Sequence, residues 1–162
     1  MSLKLDLISV GKLKSGPERD LCQRYAERLN GLARGLGLEG PRLVELSESP
    51  ARRDADRKAE EAVAILAAVP DGHKLILFDE DGTSFDSPAF AARIGEWRDA
   101  GTPGASFIIG GADGLDTNLR KRAHLVLAFG KMTMPHQIVR ILVLEQLYRA
   151  ATILAGHPYH RP

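Results

Sequence analysis

"FGKMTMPHQIVRILVLEQLYRAA", residues 129–151, decides how this chain folds. Pro135 stands ahead of a run in which Ile138, Val139, Ile141, Leu142, Val143, Leu144 and Leu147 cover more than one side of a helix. A proline in the first turn forfeits no hydrogen bond, and the N–H groups around residues 133–136 stay free to meet a ligand. A helix apolar nearly all round is buried on several sides. The spacing therefore predicts a helix from Pro135 to about Leu154, packed inside the fold and against a second subunit. Within it Glu145, Arg149 and Thr152 share a stripe, and Glu145 and Arg149 are set for an i,i+4 pair. Arg140 lies off that stripe among apolar neighbours, where an arginine faces either an interface or an anion.

Upstream of this helix, strand and helix patterns alternate. Leu3 to Val10 reads as a strand ending at Gly11, and residues 17–36 are helical. A short strand at 42–46 precedes a helix at 52–69, closed by Pro70-Asp71-Gly72. Residues 74–79 form a third strand, and Asp86-Ser87-Pro88 opens a helix running through Trp97. A strand at 105–109 stops at Gly110-Gly111, followed by a short helix at 117–122 and a strand at 124–129. The alternation predicts one α/β domain over residues 1–162, a mostly parallel sheet with flanking helices. Ligands of such sheets sit beyond the carboxyl ends of the strands, so chemistry belongs in the loops 79–83, 110–114 and 130–134.

A chain of 162 residues has room for one sizeable core. The single Cys22 excludes an internal disulfide and a cysteine-rich zinc site, and suits a reducing compartment; no metal is expected. The opening residues lack the pattern of a secretory signal. The longest apolar run, 62–69, is far short of a membrane span, so a cytoplasmic protein with no membrane partner is expected. Charge is unevenly spread: residues 1–118 carry 15 Lys and Arg against 20 Asp and Glu, whereas residues 119–162 carry 7 against the single Glu145. Four of the five histidines also fall in that last segment. A basic segment on an acidic body suits an anionic partner such as nucleic acid, or else a solvated helix face.

Three local motifs compete for the chemistry. "LILFDEDGTSFDS", 75–87, resembles the motif of haloacid-dehalogenase-type phosphatases, in which Asp79 would be the phosphoryl acceptor. Such an enzyme needs a lysine ahead of a downstream acidic pair, yet no lysine lies between Lys74 and Lys121. The stretch reads equally as an acidic strand-to-helix turn. "FIIGGADGL", 107–115, is a strand entering a glycine turn whose backbone can approach a ligand, but it has neither the Walker lysine nor GxGxxG spacing. "HPYHRP", 157–162, gathers a base, an aromatic face and a phosphate ligand of the kinds that nucleic-acid sites use.

Taken in order, "FIIGGADGL", "FGKMTMPHQIVRILVLEQLYRA" and "HPYHR" resemble the RlmH family of SPOUT-class methyltransferases, and the likeness extends to the opening "LKLDLISVGKLK". The resemblance implies transfer of a methyl group from S-adenosylmethionine to N3 of a pseudouridine in large-subunit (23S) ribosomal RNA, by a homodimer acting on the assembled ribosome. It implies a cofactor region over residues 75–162 tied in a C-terminal trefoil knot, which general topology rules would not suggest. The cofactor site would use Phe78, where the family more usually has leucine, with Gly110, Gly111 and the loop Phe129, Gly130, Lys131, Met132, Thr133 and Met134. The tail would supply His160 as general base or proton relay, Tyr159 against the nucleotide, and Arg161 on phosphate. Arg140 would orient the target, with Glu145 as its partner or as an alternative base. His136 and Arg149 would complete the substrate side, His136 also helping to hold the cofactor loop. Two other readings remain at this stage: a phosphatase built on Asp79, and a non-catalytic ribosome- or RNA-binding module.

Overall fold

The strand Gly104–Ile109 is buried at all six positions, as a strand covered on both faces must be. It is the fourth of five in a computed structural model that describes residues 2–162. In chain order the elements are β1 (Leu3–Val10), α1 (Pro17–Ala33), β2 (Leu38–Leu46), α2 (Asp54–Ala68) and β3 (His73–Thr83). There follow α3 (Ser87–Asp99), β4 (Gly104–Ile109), α4 (Thr117–Arg122), β5 (Leu125–Leu127) and α5 (His136–Ala155). The sheet runs β2-β1-β4-β3-β5 with every pairing parallel, so all five carboxyl ends lie along one edge.

Helices cover both faces. On one, Leu29 of α1, Ile94 of α3 and Leu144 and Leu147 of α5 pack on Phe107 and Ile76. On the other, Ile65 of α2 and Leu119 of α4 pack on Ile8, Leu77 and Ile108. Complete burial of each such side chain stabilises the fold by roughly 1.5–3 kcal/mol. The all-round apolar sequence of α5 is explained by its place against the sheet with α1 and α3 on either side.

Three boundaries differ from expectation. α1 stops at Ala33, a 3-10 turn (Arg34–Leu36) follows, and Gly37 turns the chain at φ +71°. β2 begins at Leu38 because that residue already pairs with Leu3 of β1. The largest difference lies in β3, expected to end at residue 79 in a plain acidic turn. Phe78 pairs with Leu127 of β5, and Thr83 then pairs with Leu127 again, while the Ala128 N–H donates to the Thr83 carbonyl at 3.0 Å. Residues 79–82 thus wrap round the end of β5, which is correspondingly short.

A Ser–His–Asp group is sealed inside the sheet. His73 Nδ1 lies 2.9 Å from Ser106 Oγ and 3.6 Å from Asp6 Oδ2, and Arg42 donates to Asp6 at 2.8 Å. Both neighbours address the same ring nitrogen and Ser106 is wholly buried, so no proton relay runs through the group. Its consequence is for stability. Burial pushes the His73 pKa below its ordinary value of 6.5, against the pull of Asp6. The unfolded chain then takes up a proton that the folded chain refuses, so stability falls as pH drops through and below that ordinary value. Urea unfolding at pH 7.5 and at pH 5.5, above the carboxylate range, should give the lower midpoint at pH 5.5. Equal midpoints would contradict the assignment.

Candidate active site

Loops following β3, β4 and β5 meet at the carboxyl edge of the sheet around a cavity of ≈ 250 Å³. After β4 the chain folds back at once. The Gly114 N–H donates to the Gly111 carbonyl at 3.0 Å, with Gly114 at φ +87°. A Cβ on Gly110 would stand 2.7 Å from Leu115 and 3.0 Å from the Gly114 carbonyl oxygen, so this tight turn needs glycine there. Opposite the turn, Phe78 stacks on Phe129, with ring centroids 5.3 Å apart and planes 11° from parallel. Thr133 donates its hydroxyl to Glu80 at 2.7 Å, fastening the loop after β5 to the segment after Phe78.

Of the residues expected to hold a cofactor, Phe78, Gly110, Gly111, Phe129, Gly130, Met132, Thr133 and Met134 all line this cavity; Lys131 is exposed and does not. His136, assigned to the substrate side, also lines it. Sequence reasoning missed the acidic rim formed by Asp79, Glu80 and Asp113.

A second cavity of ≈ 470 Å³ shares Phe78, Leu127, Ala128 and Phe129 with the first, so these residues form a common wall. Gln146, whose Oε1 accepts from Ser87 at 2.8 Å, and the tail residues His160 and Arg161 lie on its other side. The tail is folded back rather than frayed. Gly156 ends α5 in the left-handed conformation, and the His157 N–H returns to the Thr152 carbonyl at 2.9 Å. The Tyr159 ring meets Tyr148 edge-on at 4.8 Å and lies 4.9 Å from the Arg149 guanidinium. Burial pushes the Tyr159 hydroxyl pKa up, so it stays protonated at neutral pH.

Arg149 is the hub. It donates to Glu145 through Nε at 2.7 Å and through Nη2 at 3.2 Å, and its Nη1 lies 3.1 Å from His160 Nδ1. The bond to Glu145 raises its pKa further. A guanidinium only donates, so His160 Nδ1 accepts and the ring hydrogen sits on Nε2. Glu145, Arg149, His160 and Tyr159 are therefore one connected cluster.

Two expectations are corrected. Glu145 is the partner of Arg149, not of Arg140. Arg140 is buried on the β1 side, donating to Glu45 at 2.6 Å and to the Gly11 carbonyl at 2.7 Å, and it lines neither cavity. Its observed work is to hold the end of β1 against α5. Asp79 is also spent: Arg120 pairs with it, Asp113 is bound by Arg57, and Asp116 caps α4 by accepting from Asn118 N at 3.0 Å. A phosphoryl acceptor with an acidic pair beside it is not assembled.

The family model described as "Predicted SPOUT methyltransferase" matches residues 3–160. The chain belongs to this family. Within it, the chain is 58% identical over 159 residues to the ribosomal RNA large subunit methyltransferase H of Rhodopseudomonas palustris (strain HaA2), covering 98% of this chain and 99% of the relative. The protein of the same name from Methylobacterium nodulans is 56% identical, over 98% of each chain. That from Bradyrhizobium sp. (strain ORS 278) is 55% identical over 161 residues and 99% of each. These full-length likenesses put the chain in the RlmH group of the SPOUT methyltransferases. A methyltransferase structure from Legionella pneumophila with bound SAM aligns over 90% of this chain and 65% of its own, at 14% identity and TM-score 0.45, too loosely to decide anything. Among the described residues, no helix is long and apolar enough to cross a membrane.

Proposed function

We propose that this chain transfers a methyl group from S-adenosylmethionine to N3 of a pseudouridine in large-subunit (23S) ribosomal RNA, as a homodimer on the assembled ribosome in the cytoplasm. The observation that carries the reading is the pair of cavities on either side of the Phe78–Phe129 wall, one floored by a glycine turn and the other closed by the tail. Full-length likeness to proteins named for ribosomal RNA methylation supports the substrate class.

The first cavity fits the cofactor chemically. Gly110 and Gly111 let the backbone reach an adenine edge, and Phe78, Met132 and Met134 offer soft apolar faces. Bound S-adenosylmethionine supplies a methyl group already attached to a good leaving group. The protein's task is to aim the nucleophile and to stabilise it as it loses a proton.

N3 of the base carries a hydrogen that leaves as a proton to solvent water, since His160 and Glu145 are both engaged by Arg149. With Nδ1 held by Arg149, His160 presents an Nε2–H donor, and Arg161 follows it along the second cavity. Donors aimed at the carbonyl oxygens flanking N3 stabilise the anion formed on deprotonation, acting where charge develops. His160 is thus an electrostatic stabiliser in this arrangement, which departs from the expected general base. Tyr159, expected against the nucleotide, lines neither cavity and packs on Tyr148 and Arg149 instead, while Arg161 meets phosphate. The wrap of residues 79–82 round β5, followed by a helix returning between α1 and α3, supports a knotted C-terminal region. The exposed Met132, in the loop before α5, and Ile138, in its first turn, are apolar surface that a second copy can cover. A non-catalytic RNA-binding module would leave the glycine turn and the first cavity without a ligand.

Calorimetric titration of the purified protein with S-adenosylmethionine is expected to show binding without added divalent metal. No heat of binding under these conditions would overturn the cofactor reading.

A further inference from the structure

Asp113 stands in the glycine turn that floors the first cavity, and one side chain takes both of its carboxylate oxygens. Arg57, in the first turn of α2, donates from Nε to Oδ2 at 2.7 Å and from Nη2 to Oδ1 at 3.0 Å. Its remaining nitrogen, Nη1, donates to the carbonyls of Ala51 at 3.2 Å and Arg52 at 2.9 Å. Arg57 therefore ties the segment leading into α2, α2 itself and the turn together. Bidentate arginine–carboxylate pairs fix geometry as well as supplying energy. One helical turn later, the buried Glu61 accepts from the Ser49 N–H at 3.0 Å. Its other oxygen lies 3.2 Å from where a Cβ on Gly111 would stand. α2 thus backs the turn at two points.

The turn has little else to hold it. Three of its five residues, Gly110, Gly111 and Gly114, are glycines, which lose the most backbone freedom on being fixed. Its internal support is the short Gly111–Gly114 bridge. A ligand that must order such a turn binds more weakly than one that finds it already ordered.

We propose that Arg57, acting through Asp113, is a positioning residue that presets the glycine turn in its ligand-binding shape and so sets the affinity for the cofactor. This rests on the first cavity being the S-adenosylmethionine site. Arg57 is absent from the lining of either cavity, so its effect reaches the ligand only through the turn. The bond from Arg57 holds the Asp113 carboxyl below its usual range, so the pair stays charged across the neutral region.

The test is calorimetric titration of the full chain with S-adenosylmethionine, comparing wild type, Arg57→Ala, Arg57→Lys, Asp113→Ala and the double variant Arg57→Ala/Asp113→Ala. Each alanine variant is expected to raise Kd about ten-fold. The double variant should be no weaker than the weaker single one, the signature of two residues acting as one unit. Arg57→Lys, which keeps the charge but loses the fork, should fall between wild type and Arg57→Ala. KM for the cofactor should follow Kd, while kcat of Arg57→Ala and Arg57→Lys at saturating cofactor stays within about two-fold. A general loss of fold would lower kcat and melting temperature together. Should Arg57→Ala fail to fold, Asp113→Ala reads the same coupling from the other end. Wild-type affinity in the alanine variants, or losses that multiply in the double variant, would overturn the proposal. Absence of binding by the wild type would instead sink the cofactor reading on which it stands.

Discussion

Gly82→Ala should unfold the C-terminal half of this protein more readily than any other small substitution in the wrap. A Cβ at residue 82 would stand 2.7 Å from the carbonyl carbon of Leu127 and 2.8 Å from both the carbonyl carbon and oxygen of Val126. These are backbone atoms of a paired strand, so no side-chain rotation relieves the contact. Either β5 moves off β3 or the loop 79–83 opens. The cost is roughly 3 kcal/mol, at the upper end for overpacking. For a chain of this size, that lowers the melting temperature by about 6–12 °C. Because the loop 129–134 leaves directly from β5, cofactor affinity should fall with stability. A melting temperature within about 2 °C of wild type would mean that the wrap yields easily, and its proposed part in shaping the cavity would be lost with it.

The second large effect is catalytic. Arg149→Ala removes the hub that orients Glu145, His160 and Tyr159 at once. Turnover on saturating ribosomal substrate should drop by about 100-fold or more, as expected when reacting groups lose their alignment. Kd for S-adenosylmethionine should stay within about three-fold, since Arg149 lines neither cavity and acts through the tail. Arg149→Lys should rescue little, because an ammonium cannot hold Glu145 and His160 in one plane. His160→Gln then separates two roles. If His160 works as an Nε2–H donor, glutamine preserves part of the activity relative to alanine; if it works as a base, the two variants are equally poor. Near-wild-type turnover in Arg149→Ala would remove the tail cluster from the chemistry altogether.

Local signals made much of this site legible. Gly110-Gly111 after an apolar strand, and Pro135 ahead of an apolar helix, are short-range patterns, and both stand where they were expected, as does the Asp86 cap on α3. The i,i+4 spacing likewise anticipated Glu145–Arg149. What the sequence hid were pairings between distant segments. Arg140 finds Glu45 across 95 positions and Arg57 finds Asp113 across 56, and no periodicity encodes either partner. The wrap of 79–82 round β5 was invisible for the same reason, since DEDG reads locally as a turn. Asp79 looked like a nucleophile because the motif is local, whereas its neutralisation by Arg120 is not. The tail's docking onto Tyr148 and Arg149 also follows from where α5 ends, not from the composition of HPYHR alone.

The most direct measurement is to incubate the purified chain with S-adenosylmethionine and ribosomes from a strain lacking the activity, then locate any added methyl group by mass spectrometry of nuclease fragments of the ribosomal RNA. The expected result is one additional methyl group, on N3 of a pseudouridine in the large-subunit RNA, appearing about 100-fold more slowly with Arg149→Ala than with the wild type. Unmodified large-subunit RNA, from a wild-type protein that binds the cofactor, would contradict the proposed function.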